Sequence, residues 1–162
     1  MSKTENAEEM IKKVRDHQEI VDVLHRFMAA QDSADWDALL ETITPDARVE
    51  SARFGEMRGA DEVVAVCKRA LSHYDGIIHV MNNVRIEQNG DKAKVHYYAI
   101  SYHLRRGVEG GETLTNRGMN TVDVVRTGQG WKLDCYRSSK IAWQEGNPKV
   151  RVNKADPATH GG

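Results

Sequence analysis

The spacing of apolar residues changes near residue 76, and this change constrains the fold more than any other feature of the chain. Before it, apolar residues recur every three or four positions, as on the buried face of an amphipathic helix. After it, apolar and polar residues alternate, as in strands that bury one face. Helices followed by strands predict an α+β fold in which an antiparallel sheet packs against the helices.

The first part of the chain predicts a helical hairpin. Its first helix is expected over about residues 16–31, and its second is short, with Ser33 or Asp35 as the N-cap and Pro45 soon after its end. The apolar stripe of the first helix is Ile20, Val23, Leu24, Phe27 and Met28, and that of the second is Trp36, Leu39, Leu40 and Ile43.

A third helix is expected after a short strand around residues 47–51 and a turn through Phe54 and Gly59. Asp61 is its predicted N-cap, and Gly76 ends the segment. The residues expected to be buried on this helix are Val63, Val64, Cys67 and Leu71.

The second half of the chain predicts four long antiparallel strands. Asn89-Gly90 is a strong signal for a two-residue hairpin, and glycines near residues 107–111 and 128–130 mark two further turns. Such a sheet twists and curls around the helices, which leaves a pocket between its concave face and the helical hairpin. The strands are predicted over residues 77–88, 92–105, 113–126 and 131–143.

Length and composition indicate one domain without a highly charged partner. A chain of 162 residues suits a single core, which we assign to residues 10–146, with polar flexible tails at 1–9 and 147–162. A net charge of -1 gives no electrostatic reason to expect nucleic acid or an anionic membrane. No apolar stretch approaches the about 20 residues of a membrane span. The N-terminus is charged and acidic, unlike a signal peptide, so a cytoplasmic protein is expected. Cys67 and Cys135 lack metal-ligand spacing, so no metal site is expected.

His79 lies inside the apolar run Ile77–Met81, where a buried imidazole requires a partner or a function. Asp32 closes the apolar stripe of the first helix beside Met28 and therefore points toward the sheet. Each residue also has an ordinary explanation, since Asp32 can cap the second helix and His79 can be a satisfied core histidine. Their joint occurrence favours an acid and an imidazole paired in a pocket.

Strand alternation adds further candidates to the same interior. In the second long strand, Tyr97, Ser101 and His103 share a face with the apolar Val95. In the last strand, Arg137 has the parity of the apolar residues Leu133 and Cys135, so alternation predicts an inward guanidinium. Such an arginine would bind substrate or neutralise Asp32 or another buried acid.

Four segments resemble the SnoaL-like branch of the nuclear transport factor 2-like superfamily. Residues 31–39 are similar to the family's helix-hairpin segment, and residues 44–47 follow it as expected. Residues 78–83 are similar to its histidine-bearing strand, and residues 143–147 to its closing strand. The resemblance covers nearly the whole folded region. It implies an α+β cone, in which a strongly curved antiparallel sheet wraps around three helices and encloses a pocket.

The enzymes of this group include scytalone dehydratase, hexachlorocyclohexane dehydrochlorinase and bile acid 7-alpha-dehydratase. They carry an aspartate and histidine pair, which Asp32 and His79 match. The resemblance implies an elimination without a cofactor, in which His79 removes a proton from carbon and Asp32 orients the imidazole. It assigns charge stabilisation near the leaving group to Arg137. Lesser candidates for contacting the leaving hydroxyl are Tyr97, Ser101 and His103.

Two candidate substrate-contacting residues depart from the family pattern. Phe27 stands where several of these dehydratases have a tyrosine, which removes one hydrogen-bond donor. Met119 occupies a strand position that is often polar. Neither change removes the aspartate and histidine pair, but both affect which substrate the pocket accepts.

Three functions are compatible with these residues. The first is a dehydratase-type lyase acting on a small cyclic or polycyclic apolar substrate. An isomerase or polyketide cyclase would need the same base and pocket. A non-catalytic small-ligand binder or assembly subunit would instead use Asp32, His79 and Arg137 as a buried structural network.

A homodimer or homotrimer is also expected, because relatives in the family form dimers or trimers. The outward-facing Tyr98 and Tyr102 suit such a contact between subunits.

Overall fold

The structure is a computed structural model that describes residues 3–51 and 55–151. Within these ranges six strands form one sheet and three α-helices pack against it, as expected for an α+β fold. The elements are α1 Lys3–Asp32, α2 Trp36–Glu41, β1 Ile43–Ser51, β2 Gly55–Arg58, α3 Ala60–Leu71, β3 Gly76–Asn89, β4 Lys92–Leu104, β5 Thr113–Thr127, β6 Gly130–Gly146 and a 3₁₀ helix, Pro148–Val150.

The sheet is curved and unclosed, with strand order β2-β1-β6-β5-β4-β3. The four long strands pair antiparallel as predicted, whereas β1 runs parallel to β6 and is antiparallel to β2. The inner face of the sheet packs against the helices, and the predicted stripe of α1 is buried there. That stripe is Ile20, Val23, Leu24, Phe27 and Met28.

The beginnings of several elements differ from the sequence predictions. Helix α1 starts at Lys3, so most of the predicted N-terminal tail is helical, supported by i,i+4 ion pairs such as Lys13–Glu9. Ile43 begins β1 instead of closing α2. The four-residue strand β2 was not predicted, because it is too short to show alternation. Gly59, not Asp61, is the N-cap of α3. Phe54 lies outside the described residues.

Strands β4 and β5 pair without a register shift, so alternation holds along both. Their inner faces are apolar near the β3–β4 hairpin, where Val95 lies opposite Val122. Further along, Ser101 lies opposite Asn116, so the same inner face becomes polar. The alternation therefore places a polar region on the inner face of the sheet, beyond an apolar core.

Strand β6 does not alternate regularly. Its pairing with β5 shifts by one residue between Leu133 and Cys135, which leaves Asp134 as a β-bulge. Beyond the bulge, Tyr136 packs against the core, and Arg137 lies on the outer face. The predicted inward placement of Arg137 is therefore wrong, because a parity counted from Leu133 is reversed by the bulge.

Asp16 lies at the end of the sheet near the β3–β4 hairpin, and its side chain is 2% exposed. Its carboxylate forms a salt bridge with Arg126 and accepts hydrogen bonds from Lys12 at 3.0 Å and Gln88 at 2.7 Å. The Arg126 guanidinium lies 4.6 Å from the ring centroid of Trp131. Burial opposes ionisation of Asp16, but the hydrogen bonds, led by that from Arg126, hold its pKa well below its usual value. This network ties α1 to β3 and β5.

Candidate active site

Asp32 and His79 form a direct pair between the end of α1 and the start of β3. Asp32 Oδ1 lies 2.6 Å from His79 Nδ1, and Asp32 Oδ2 accepts a hydrogen bond from the His79 backbone N–H at 3.0 Å. The His79 side chain is 20% exposed and that of Asp32 is 24% exposed. Both oxygens of the Asp32 carboxylate therefore bind His79, and the Asp32–His79 pair remains accessible to a small molecule.

The turn after α1 leaves the Asp32 side chain available for this contact. Ala34 adopts a positive φ of 55°, and Asp35 N–H bonds to the Ala30 carbonyl oxygen at 2.9 Å. Asp35, rather than Asp32, caps α2, because its Oδ1 accepts a hydrogen bond from Ala38 N–H at 3.0 Å. The capping explanation for Asp32 is therefore wrong.

The geometry of the pair defines which ring nitrogen of His79 can act. A carboxylate at Nδ1 retains a proton there and leaves Nε2 with a lone pair in the neutral ring. Among the residues whose side chains the structure describes, Nε2 has no hydrogen-bond partner. An imidazole held in this way can accept a proton at Nε2, while Asp32 stabilises the imidazolium that forms.

A polar row crosses the inner face of the sheet from His79. Ser101 lies opposite His79, and Asn116 lies opposite Ser101. Gln144 continues the row on β6, where its Nε2 donates to Asn116 Oδ1 at 2.8 Å. Ser101 thus lies on the predicted face. Asn116 was not identified from the sequence, although alternation from the buried Leu114 would have placed it inside.

Tyr97 lies on the predicted inner face, deep in the core. Its buried hydroxyl makes no hydrogen bond of normal geometry to a described residue, although Asn120 and Tyr136 lie near it. Burial, followed by the effect of Tyr136, raises the pKa of Tyr97 well above its usual value. Burial also raises the pKa of Tyr136 to about 12, and its ring centroid lies 5.8 Å from that of Phe27. Phe27 is therefore a core residue beside the neutral Tyr136.

His103 lies on the inner face as predicted and is buried. Its ring centroid is 4.7 Å from that of Tyr74, and its Nδ1 lies 3.3 Å from the Leu114 carbonyl oxygen. These contacts fix the ring on the inner face of the sheet. There, Ile77 and His103 form the next inward-facing pair along β3 and β4 after His79 and Ser101.

Met119 does not face the interior. It lies opposite Tyr98 on the outer face of the sheet and is 53% exposed. The next residue, Asn120, lies opposite Tyr97 and has the inward parity on β5. The predicted substrate contact of Met119 is therefore wrong.

Arg137 forms an ion-pair cluster on the outer face. Its Nε lies 2.9 Å from Glu50 Oε2, and one terminal nitrogen lies 2.6 Å from Asp123 Oδ2. The hydrogen bond to Asp123 leads the effects that raise the pKa of Arg137. Arg137 therefore pairs with Glu50 and Asp123 and not with Asp32. This is the structural role that was the alternative to substrate binding.

Neither a metal centre nor a membrane span is found in the described part of the chain. No group of three or more His, Cys, Asp or Glu residues there is arranged to hold a metal ion. None of the helices within residues 3–51 and 55–151 is long and apolar enough to cross a membrane. Cys67 and Cys135 are free thiols, and burial raises the pKa of each to about 11.

Solved structures of low sequence identity share this fold. A provisionally assigned scytalone dehydratase from Novosphingobium aromaticivorans is 16% identical with a TM-score of 0.75, and the match covers 89% of this chain and 99% of that one. The hexachlorocyclohexane dehydrochlorinase LinA-type3 from Novosphingobium barchaimii is 15% identical with a TM-score of 0.75, covering 88% and 97%. An NTF2-like protein from N. aromaticivorans is 19% identical with a TM-score of 0.74, covering 88% and 92%. These matches define an NTF2-like fold.

The family follows from the sequence itself. The model of the SnoaL-like domain matches residues 12–137, which is most of the chain. The chain therefore belongs to the SnoaL-like domain family. A search of curated proteins gave no match.

Proposed function

We propose that this protein is a cofactor-independent lyase of the dehydratase type, acting on a small cyclic or polycyclic apolar substrate. The observation that carries the proposal is the contact of 2.6 Å between Asp32 Oδ1 and His79 Nδ1, with Nε2 left for a substrate. Two of the structural neighbours are named for eliminations, a dehydration and a dehydrochlorination. At their low identity they support the fold, so the proposed reaction depends on the Asp32–His79 pair.

In the proposed reaction, His79 Nε2 removes a proton from the ring carbon next to the one that bears the leaving group, where a neighbouring carbonyl group or halogen acidifies the C–H bond. The electron pair of the C–H bond forms a C=C bond, and the bond from the neighbouring carbon to its hydroxyl or halide breaks. Asp32 stabilises the imidazolium while it exists. For a hydroxyl leaving group the proton returns to it from His79, so that one water molecule is released. Ser101 lies opposite His79 in the sheet and is proposed to donate a hydrogen bond to the leaving oxygen.

Product analysis tests the reaction. The protein is incubated with cyclic β-hydroxy ketones and with chlorinated cyclohexanes, and the products are identified by mass spectrometry. We expect a product lighter by one water or one hydrogen halide. The matched control is the His79→Ala variant at equal concentration. Conversion of no compound by the wild type, or equal conversion by both proteins, would count against the proposed lyase.

An isomerase or cyclase is the second candidate, and the buried tyrosines favour it. The Tyr97 hydroxyl is neutral and lacks a normal hydrogen bond among the described residues. Such a donor would polarise a substrate carbonyl while His79 moves a proton from one carbon to another. The same incubation separates the two reactions, because an isomerised product keeps the mass of the substrate. Tight binding of ring compounds without any product would favour a ligand-binding protein.

We also propose that the protein forms a homo-oligomer through the outer face of the sheet. Five large apolar side chains on this face are between 44% and 64% exposed, which is unusual for the surface of a monomer. They lie on adjacent strands β3 to β6, and the net charge of -1 gives little repulsion between copies. These five residues, which we term the outer patch, are Ile78, Tyr98, Tyr102, Met119 and Trp143.

Replacing Trp143 by lysine is expected to break the oligomer into monomers, because Trp143 is the most exposed residue of the outer patch and a buried lysine would be unpaired. Light scattering after size-exclusion chromatography measures the change. The matched control is Leu40→Lys, since Leu40 is also exposed but lies on α2. A monomeric wild type, or an unchanged oligomer in Trp143→Lys together with Met119→Lys, contradicts the proposed contact.

A further inference from the structure

The chain beyond β6 folds back across the edge of the inner face. Gly146 has a positive φ of 99°, and a Cβ there would collide with the carbonyl oxygen of Thr113. Asn147 then holds the turn, because its Nδ2 donates to the Gly111 carbonyl oxygen at 2.7 Å. Val150 is fully buried against the fold. Residues 146–151 are therefore fixed beside β5 as part of the fold.

Arg151 ends this segment and is half-buried on the inner side of β5. One terminal nitrogen of its guanidinium donates to Asn116 Oδ1 at 3.3 Å. Its Nε is buried and has no hydrogen-bond partner among the residues whose side chains are described. No carboxylate of those residues lies within salt-bridge distance of Arg151, whereas Arg126 and Arg137 each pair with at least two acids.

A guanidinium has five N–H donors, and only one of those of Arg151 has a partner among the described residues, so its position identifies a place for an acceptor. Arg151 contacts the polar row that contains His79, because Asn116 lies opposite Ser101 and Ser101 lies opposite His79. Two strand spacings of about 4.8 Å each separate Asn116 from His79, which gives about 10 Å along the row. That length matches a molecule of one or two fused rings.

We infer that Arg151 is a substrate-binding residue, and that it selects substrates whose ring system is apolar but which carry one carboxylate at the end remote from the carbon that His79 deprotonates. That His79 deprotonates the other end of the substrate rests on the proposed function. A carboxylate suits the guanidinium because two parallel N–H donors match its two oxygens. Asn116 acts as a positioning residue, since its Oδ1 holds the guanidinium on the inner face. A neutral amide of the same shape offers one carbonyl oxygen and no negative charge, so it binds the guanidinium less strongly.

Binding of 2-naphthoate tests this inference without any turnover, because the compound has no leaving group. Its neutral counterpart is 2-naphthamide, and both affinities are measured by calorimetry. The NMR ring signals of His79, assigned by their loss in His79→Gln, place the bound ligand at the Asp32–His79 pair. We expect the wild type to bind naphthoate at least tenfold more tightly than naphthamide, with a movement of the His79 signals.

The variant Arg151→Met should remove this preference, lowering naphthoate affinity at least tenfold while naphthamide affinity stays within about twofold. The matched control is Lys149→Met, which removes the same charge from the same segment; Lys149 is exposed and lies 3.7 Å from Glu109. It should bind naphthoate like the wild type. Arg151→Lys, which keeps the charge but not the two-donor geometry, should bind with intermediate affinity.

Equal binding of acid and amide by the wild type overturns the inference without reference to any variant. An equal loss of affinity in Lys149→Met, or naphthoate binding that leaves the His79 signals unmoved, also overturns it. These results are independent of the proposed reaction. A preference for the carboxylate that depends on Arg151, in a protein that converts no substrate, would support carboxylate recognition and refute the lyase. Conversion of neutral substrates without that preference would support the lyase and refute carboxylate recognition.

Discussion

His79→Ala is expected to lower kcat/KM by about 10²–10⁴-fold on any substrate that the wild type converts, with the fold intact. The rate falls because no neighbouring group replaces Nε2 as the base. The fold is retained because Asp32 Oδ2 bonds to the backbone N–H of residue 79 at 3.0 Å, and alanine keeps that donor. Steady-state kinetics and thermal melting followed by circular dichroism measure the two effects separately.

Asp32→Asn tests the second member of the pair. An asparagine amide cannot stabilise an imidazolium as a carboxylate does, and its NH₂ group would favour the tautomer with a proton on Nε2. We therefore expect a loss of activity of the same order as in His79→Ala. The matched control is Asp35→Asn, since asparagine is also a good N-cap and this position does not contact His79. Full activity in His79→Ala would exclude His79 as the base, and full activity in Asp32→Asn would exclude the proposed role of Asp32.

Asp16→Ala is expected to lower the free energy of unfolding by about 3 kcal/mol, the largest stability effect that we predict. Alanine removes a buried carboxylate and leaves the Arg126 guanidinium, whose side chain is 27% exposed, with the more exposed acids Asp91 and Glu19. Urea denaturation at neutral pH measures the change. The control is Asp22→Ala, which removes an exposed i,i+4 partner of Arg26 from the same helix and should cost at most about 1 kcal/mol.

The effect of Asp16 depends on pH in a defined direction. Its pKa in the folded protein is lowered, while in the unfolded chain it is near the ordinary value of about 3.9. The stabilisation is therefore complete well above pH 4 and is lost as the pH falls toward the lowered pKa. The difference in stability between the wild type and Asp16→Ala should be smaller at pH 3 than at pH 7. A difference that is constant over this range would contradict the ionised Asp16–Arg126 pair.

The sequence predicted the parts of the fold that depend on periodicity. The four long strands have nearly the predicted bounds, because alternation and the Asn89-Gly90 turn are local signals. The contact between Asp32 and His79 was also predicted, since each polar residue interrupted an apolar pattern. The start of α1 was missed because its first residues are exposed and polar, so they carry no apolar stripe.

The rest of the site could not be predicted, because it depends on register and on the path of the chain after β6. Alternation alone gives no sign of a bulge, so Arg137 was assigned to the wrong face. Arg151 was placed in a polar tail, because its position depends on the turn at Gly146 and on the burial of Val150. Tertiary contacts determine such positions, and composition does not indicate them.

The bulge at Asp134 also determines which changes in chain length this strand can tolerate. Deleting Asp134 would remove the extra residue and give continuous alternation from Leu133, while the residues that follow keep their partners on β5 and their faces. The phenol of Tyr136 would remain in the core beside Phe27, and the guanidinium of Arg137 would remain on the outer face. A comparison of β6 among relatives must therefore align the bulge before the side chains, since a gap misplaced by one position equates a core residue with a surface residue.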